Sequence, residues 1–117
     1  MSYDIRLLDP VTKKPIIFDQ PHDIRGGTYV PGGTNEAWLN VTYNYARYFE
    51  RIGRKGIRSI YGKTGAESIP TLKKAADSLG DDASTNYWKP SEGNAKRALL
   101  GLLALARMRP DGVWSGD

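Results

Sequence analysis

Short apolar runs over 3–9 (Tyr-Asp-Ile-Arg-Leu-Leu-Asp) and 15–19 (Pro-Ile-Ile-Phe-Asp) predict two strands near the start of the chain. Between them, Asp9-Pro10-Val11-Thr12-Lys13-Lys14 carries turn chemistry: Pro10 pre-sets φ, and Asp9 can bond the backbone two residues on. A hairpin is expected. A third short strand is expected over Thr28-Tyr29-Val30, bracketed by two Gly-Gly-Thr units that mark tight turns. The next pattern is helical. Trp38, Val41, Tyr45, Tyr48, Phe49 and Ile52 fall within an arc of about 100°, which predicts an amphipathic helix from Thr34 or Asn35 to near Gly53. Thr64-x-x-Glu67 has capping-box spacing, but Pro70 places the regular part of a second helix nearer Ser68; Leu72, Ala75, Ala76 and Leu79 face inward before Gly80. A third helix is expected from Ser91 to about Met108, where Pro110 stops it. Its stretch Ala-Leu-Leu-Gly-Leu-Leu-Ala-Leu-Ala over 98–106 is apolar on nearly every side, which suits a central helix or one shared with a second copy of the chain. Trp114 in the tail is expected to fold back on the body. These elements predict one α+β domain over 1–117, a small N-terminal antiparallel hairpin or three-stranded sheet followed by three helices.

Composition removes several function classes. The 117 residues contain no cysteine, so disulfides, thiolate nucleophiles and cysteine zinc sites drop out. One histidine, His22, leaves too few ligands for structural zinc, and no cofactor is expected. No apolar run approaches the ~18 residues of a membrane span, and Met1-Ser2-Tyr3-Asp4 lacks the basic and apolar regions of a secretory leader. A cytoplasmic chain without a membrane partner is the expectation.

The formal charge of +4 becomes informative once located. Arg47, Arg51, Arg54, Lys55, Arg58 and Lys63 face one acid, Glu50, between positions 47 and 63, so the basic excess is a single patch. A local patch of this kind points to an anionic partner. Arginine suits phosphate geometry, and Tyr43 and Tyr61 lie close enough in sequence to offer stacking surfaces. The alternative is a solvated face.

Gly56-Ile57-Arg58-Ser59-Ile60-Tyr61-Gly62-Lys63-Thr64 approaches a phosphate-binding loop but has five residues where the motif needs four, and lacks its parallel α/β setting. Its glycines and capped helix could still expose N–H groups to an anion, against the simpler reading of an ordinary turn and cap. The third helix entry, Gly93-Asn94-Ala95-Lys96-Arg97 with Tyr87 and Trp88 upstream, could grip a ring and a phosphate together. Otherwise Trp88 is core, and Lys96 and Arg97 are solvated. His22 sits beside Asp23 in a turn that does not orient a catalytic dyad, and no Gly-x-Ser-x-Gly elbow supplies a nucleophile; a small hydrolase using His22 is the weakest reading.

Arg25-Gly26-Gly27-Thr28 through Trp38-Leu39-Asn40, Tyr61-Gly62-Lys63-Thr64-Gly65-Ala66-Glu67-Ser68-Ile69-Pro70, and Asn86-Tyr87-Trp88 with Glu92-Gly93-Asn94-Ala95 and Met108-Arg109-Pro110-Asp111-Gly112 together resemble a family of short proteins of bacterial, phage and prophage genomes. The resemblance covers most of the chain and brings no catalytic residue with it. Phage carriage would imply a morphogenesis or host-takeover accessory, or a small inhibitor of a bacterial defence system. By analogy, the inhibitors include sponges that sequester cyclic or ADP-ribose-derived immune signals.

The resulting expectation is a non-enzymatic binding protein for a phosphate-bearing ligand, a nucleotide-type signal or a short nucleic acid. Arg47, Arg51, Arg54, Arg58 and Lys63 would hold phosphate, with Tyr61, Trp88 and Asn94 on the base or ribose. The competing expectation is a protein–protein inhibitor that docks its basic face on an acidic partner.

Overall fold

Tyr3, Ile5 and Leu7 are buried while Ser2, Asp4 and Arg6 between them are only partly covered, the period of two that a strand with one face on a core imposes. The computed structural model describes Met1–Asp117 and makes this strand, β1 (Ser2–Leu8), the middle of an antiparallel sheet. Its neighbours are β4 (Trp38–Thr42) and β5 (Val113–Gly116), in the order β4-β1-β5. Ile5 lies opposite Leu39, and Leu7 opposite Trp114.

The expected turn after β1 forms as its residues dictate. The Asp9 carboxylate accepts the N–H groups of Val11 at 2.8 Å and Thr12 at 3.0 Å, and Leu8 bridges to Pro15. The hairpin then parts. β2 (Ile17–His22) leaves the sheet and pairs with β3 (Thr34–Glu36) as a separate two-stranded ribbon. Residues 28–30 form no strand; they belong to the loop between the ribbon strands, where the Thr28 N–H bonds the Asn40 side chain at 3.0 Å.

The helix expected over 34–53 is replaced by β3, β4, a 3₁₀ turn at Tyr43–Tyr45 and the four-residue α1 (Ala46–Phe49). Two periodicities overlap in this stretch. Ala37, Leu39 and Val41 recur every second residue and are at most 2% exposed, and this period matches a vacant edge of β1. The helical spacing survives where Tyr45, Phe49 and Ile52 enter the core four and three residues apart.

α2 (Gly65–Asp77) carries the full capping box: Thr64 Oγ1 accepts the Glu67 N–H at 3.1 Å, and the Glu67 carboxylate accepts the Thr64 N–H at 2.9 Å. That pair starts the helix three residues ahead of Ser68, and Pro70 is accommodated on its exposed side. α3 (Glu92–Met108) begins at the Ser91 cap and packs against α2 and β4. Leu99, Leu102, Leu103 and Leu105 are buried, whereas Leu100 and Met108 stand exposed. Trp114 returns to the core as expected, carried by β5. No helix is long and apolar enough to cross a membrane.

Four tyrosines brace the core. Burial holds the Tyr3, Tyr45 and Tyr87 phenols above their usual value of 10.0, and pushes Tyr61 up to about 12, with the Asp117 carboxylate adding to the shift. A phenol whose folded value is raised stabilises the fold fully below its unfolded value, and that contribution drains as pH rises through the folded one. We therefore expect cooperative alkaline unfolding between pH 10 and about 12. In an alkaline titration, tyrosinate absorbance from these residues should appear together with loss of helical circular dichroism. Smooth phenol ionisation with the helices intact would contradict this.

Candidate functional site

With the long helix absent, the basic residues of 47–63 share no face. The Arg47 guanidinium lies over the Tyr48 ring and donates to its hydroxyl at 2.7 Å. Arg51 reaches the end of α2 and the start of α3, donating to the Ser78 carbonyl at 2.6 Å and pairing with Glu92 at 3.3 Å. Arg58 turns to the sheet, where it bonds the Asp117 carbonyl at 2.9 Å and covers the rings of Tyr3 and Tyr43. Arg54 and Lys63 are exposed and form no ion pair. No cavity lies beneath these five. Tyr61 packs on Gly116 and its buried hydroxyl has no partner. Trp88 is half exposed, set edge-on to Tyr87 and against Gly27.

The glycine-rich entry to α2 is likewise closed to anions. The N–H groups of Gly62, Gly65 and Ala66 donate to the carbonyls of Trp114, Gly112 and Pro110 at 2.9, 2.7 and 2.9 Å. Lys63 bonds Ile60 at 3.0 Å, and Thr64 and Glu67 satisfy one another in the capping box. Six consecutive donors are thus consumed by the protein, so this is a turn and a cap. At α3 the Asp82 carboxylate occupies the helix entry, accepting the Gly93 N–H at 3.0 Å. Asn94 holds the 81–90 loop: its Oδ1 accepts the Ser84 N–H at 2.9 Å, and its Nδ2 donates to the Asn86 and Lys89 carbonyls at 3.0 Å each.

What remains open is a cavity of about 510 Å³ between the 23–29 segment, β4, Tyr87 and α3. Its size lies within the range of small-molecule sites, roughly 300–1,000 Å³. Leu39, Val41, Ile24, Ala98 and Gly101 supply apolar lining, and the rings of Tyr45 and Tyr87 also line it. Three charged residues, Arg25, Arg97 and Asp23, also line it and are exposed, so they form its rim. Arg25 lies over the Tyr29 ring at 4.5 Å, with Asp23 4.0 Å from its Nε. Arg97 has no ion pair.

The wall is fixed by short-range fits. A Cβ on Gly26 would lie 1.5 Å from the Asn40 carbonyl oxygen, and one on Gly27 would lie 2.7 Å from the Trp88 ring, so only glycines let the segment sit this close to β4. The Tyr87 hydroxyl accepts the Thr42 N–H at 3.0 Å and seals the outer edge of β4. His22 pins the start of the segment. Its Nδ1 accepts the Ile24 N–H at 3.2 Å, which leaves the proton on Nε2 to donate to the Glu36 carbonyl at 2.6 Å. Both ring nitrogens serve the backbone, and neither lines the cavity.

Of the eight sequence-chosen residues only Asn94 borders this cavity. Arg97, weighed in the sequence only as part of the third helix entry, also lines it, as do Arg25, Tyr29 and Asn40, which were not chosen; the paired glycines after Arg25 were the sequence signal of a close backbone approach. Neither a protein-family model, nor a curated protein, nor a solved structure matches the chain.

Proposed function

We propose that the chain is a non-enzymatic binding protein for a small phosphate-bearing organic ligand, nucleotide-type signals among them, seated in the cavity between residues 23–29, β4 and α3. One observation carries this reading: a cavity of about 510 Å³ with a mixed apolar and polar lining has two arginines on its rim, one of them without an ion pair. Guanidinium forks at the rim suit phosphate oxygens, and the apolar part of the lining suits an organic body. A short nucleic acid is less well served, because the cations of 47–63 do not line up as a track. In a phage setting, which the resemblance implies, such a cavity would serve to sequester a signal.

Calorimetric titration against phosphate-bearing organic compounds, including nucleotides and cyclic dinucleotides, tests the reading. We expect saturable heat with at least one of them, weakened about tenfold or more by Arg97→Glu or Arg25→Glu and unchanged by Arg47→Glu with Arg54→Glu. Absence of heat with every compound would overturn it. So would loss only in the Arg47/Arg54 variant, which would place the ligand on the basic segment instead, whereas silence with every compound favours docking of the basic face on an acidic protein.

A further inference from the structure

The polar atoms inside the cavity are committed before any ligand arrives. Asn40 is 3% exposed; its Nδ2 donates to Ser2 Oγ at 2.8 Å and Asp4 Oδ1 at 3.1 Å, while its Oδ1 accepts the Thr28 N–H. The Tyr45 hydroxyl donates to the Tyr87 carbonyl, and the Tyr87 hydroxyl is held by Thr42 and the Asn40 carbonyl. The Asn94 amide uses both ends on the 81–90 loop. The other inward-facing side chains, from Ile24, Leu39, Val41 and Ala98, carry no polar atom, and Gly101 brings bare backbone. Every inward-facing side-chain donor is therefore engaged, while the charged groups and the exposed Tyr29 hydroxyl stand at the rim.

Resting on the binding reading above, we infer that the ligand is an amphipathic phosphate monoester whose buried body is apolar, aromatic or branched aliphatic, and lacks a hydrogen-bonding edge. Its phosphate stays at the rim with Arg25 and Arg97, and its body is recognised by shape and apolar contact. A nucleobase placed inside would strip its acceptors of water with no side-chain donor free to replace it, which weakens its binding about tenfold or more against a body without such groups. Aryl monoesters avoid that loss. The ring faces of Tyr45 and Tyr87 add favourable contacts for a flat body.

The test compares 1-naphthyl phosphate, adenosine monophosphate and inorganic phosphate by calorimetry on the intact chain. We expect naphthyl phosphate to bind about tenfold or more tightly than the nucleotide, and inorganic phosphate to give no saturable heat. Equal or tighter binding of the nucleotide overturns this inference and leaves the binding reading standing. Silence from all phosphate-bearing organic compounds overturns both.

Location is checked at Gly101, where a Cβ would already meet Ile24 at 3.0 Å and Leu39 at 3.3 Å, so Gly101→Val fills the cavity. This variant should lose naphthyl phosphate binding. Ala98→Leu, which adds bulk from the same helix wall, provides a second readout should Gly101→Val fail to fold. Retained affinity in a folded variant of either kind would place the ligand elsewhere and sink the inference.

Discussion

Trp114→Ala is expected to cost about 3–5 kcal/mol of unfolding free energy, a large share of the roughly 5–15 kcal/mol that holds a typical domain together. Two contributions disappear with the ring and a third weakens. Trp114 is 1% exposed, so its removal leaves a large void between β5 and the helices. Its Nε1–H donates to the buried Ser68 Oγ at 2.7 Å, and the alanine variant leaves that oxygen with only its own donation to the Gly65 carbonyl. The backbone of Trp114 also exchanges hydrogen bonds with Gly62 and Lys63 at 2.9 Å each, so a slackened β5 loosens the entry to α2. Urea unfolding followed by far-ultraviolet circular dichroism measures the loss. Trp114→Phe should recover the larger part of it, because most of the volume returns while the indole donor does not. A loss below about 1 kcal/mol for the alanine variant would contradict the central place assigned to this residue.

Asn94→Ala is expected to cost about 2–3 kcal/mol and to free the 81–90 loop. The amide is 4% exposed and its three bonds hold Ser84, Asn86 and Lys89 at once. No other side chain on α3 reaches those three positions. Limited proteolysis should then cut within 81–90, and thermal unfolding should shift down. Ligand affinity should fall as well, since Tyr87 hangs from the same loop and lines the cavity. Unchanged thermal stability with affinity alone reduced would instead assign Asn94 to the ligand, as the sequence suggested.

The contrast between Asn94 and Arg97 shows why the fold was easier to read than the site. Ser91, Thr64 and Glu67 act on N–H groups within three residues, so their spacing in sequence is also their spacing in space. Whether Asn94 is free for a ligand depends on Ser84, Asn86 and Lys89, and whether Arg51 is free depends on Ser78 and Glu92. Residue type marks a group as able to bind phosphate. It says nothing of whether a carbonyl or carboxylate from another segment has already claimed it.

The sequence alone determined the features that close over short distances: the Asp9 turn, the capped start of α3, the stop before Pro110, and the burial of Trp114. The α+β class followed from them. Tertiary structure decided everything that needed a distant partner. Residues 38–42 became a strand because β1 offered an edge, β2 left its hairpin for β3, and the N–H groups of Gly62, Gly65 and Ala66 were spent on the carbonyls of Trp114, Gly112 and Pro110. The cavity belongs to this second group, since its wall exists only where glycines 26 and 27 let the chain lie against β4 and Trp88. Local signals survive in a linear reading because their geometry is set by a few adjoining torsions. Long-range ones do not, because many alternative pairings satisfy the same pattern until packing selects one.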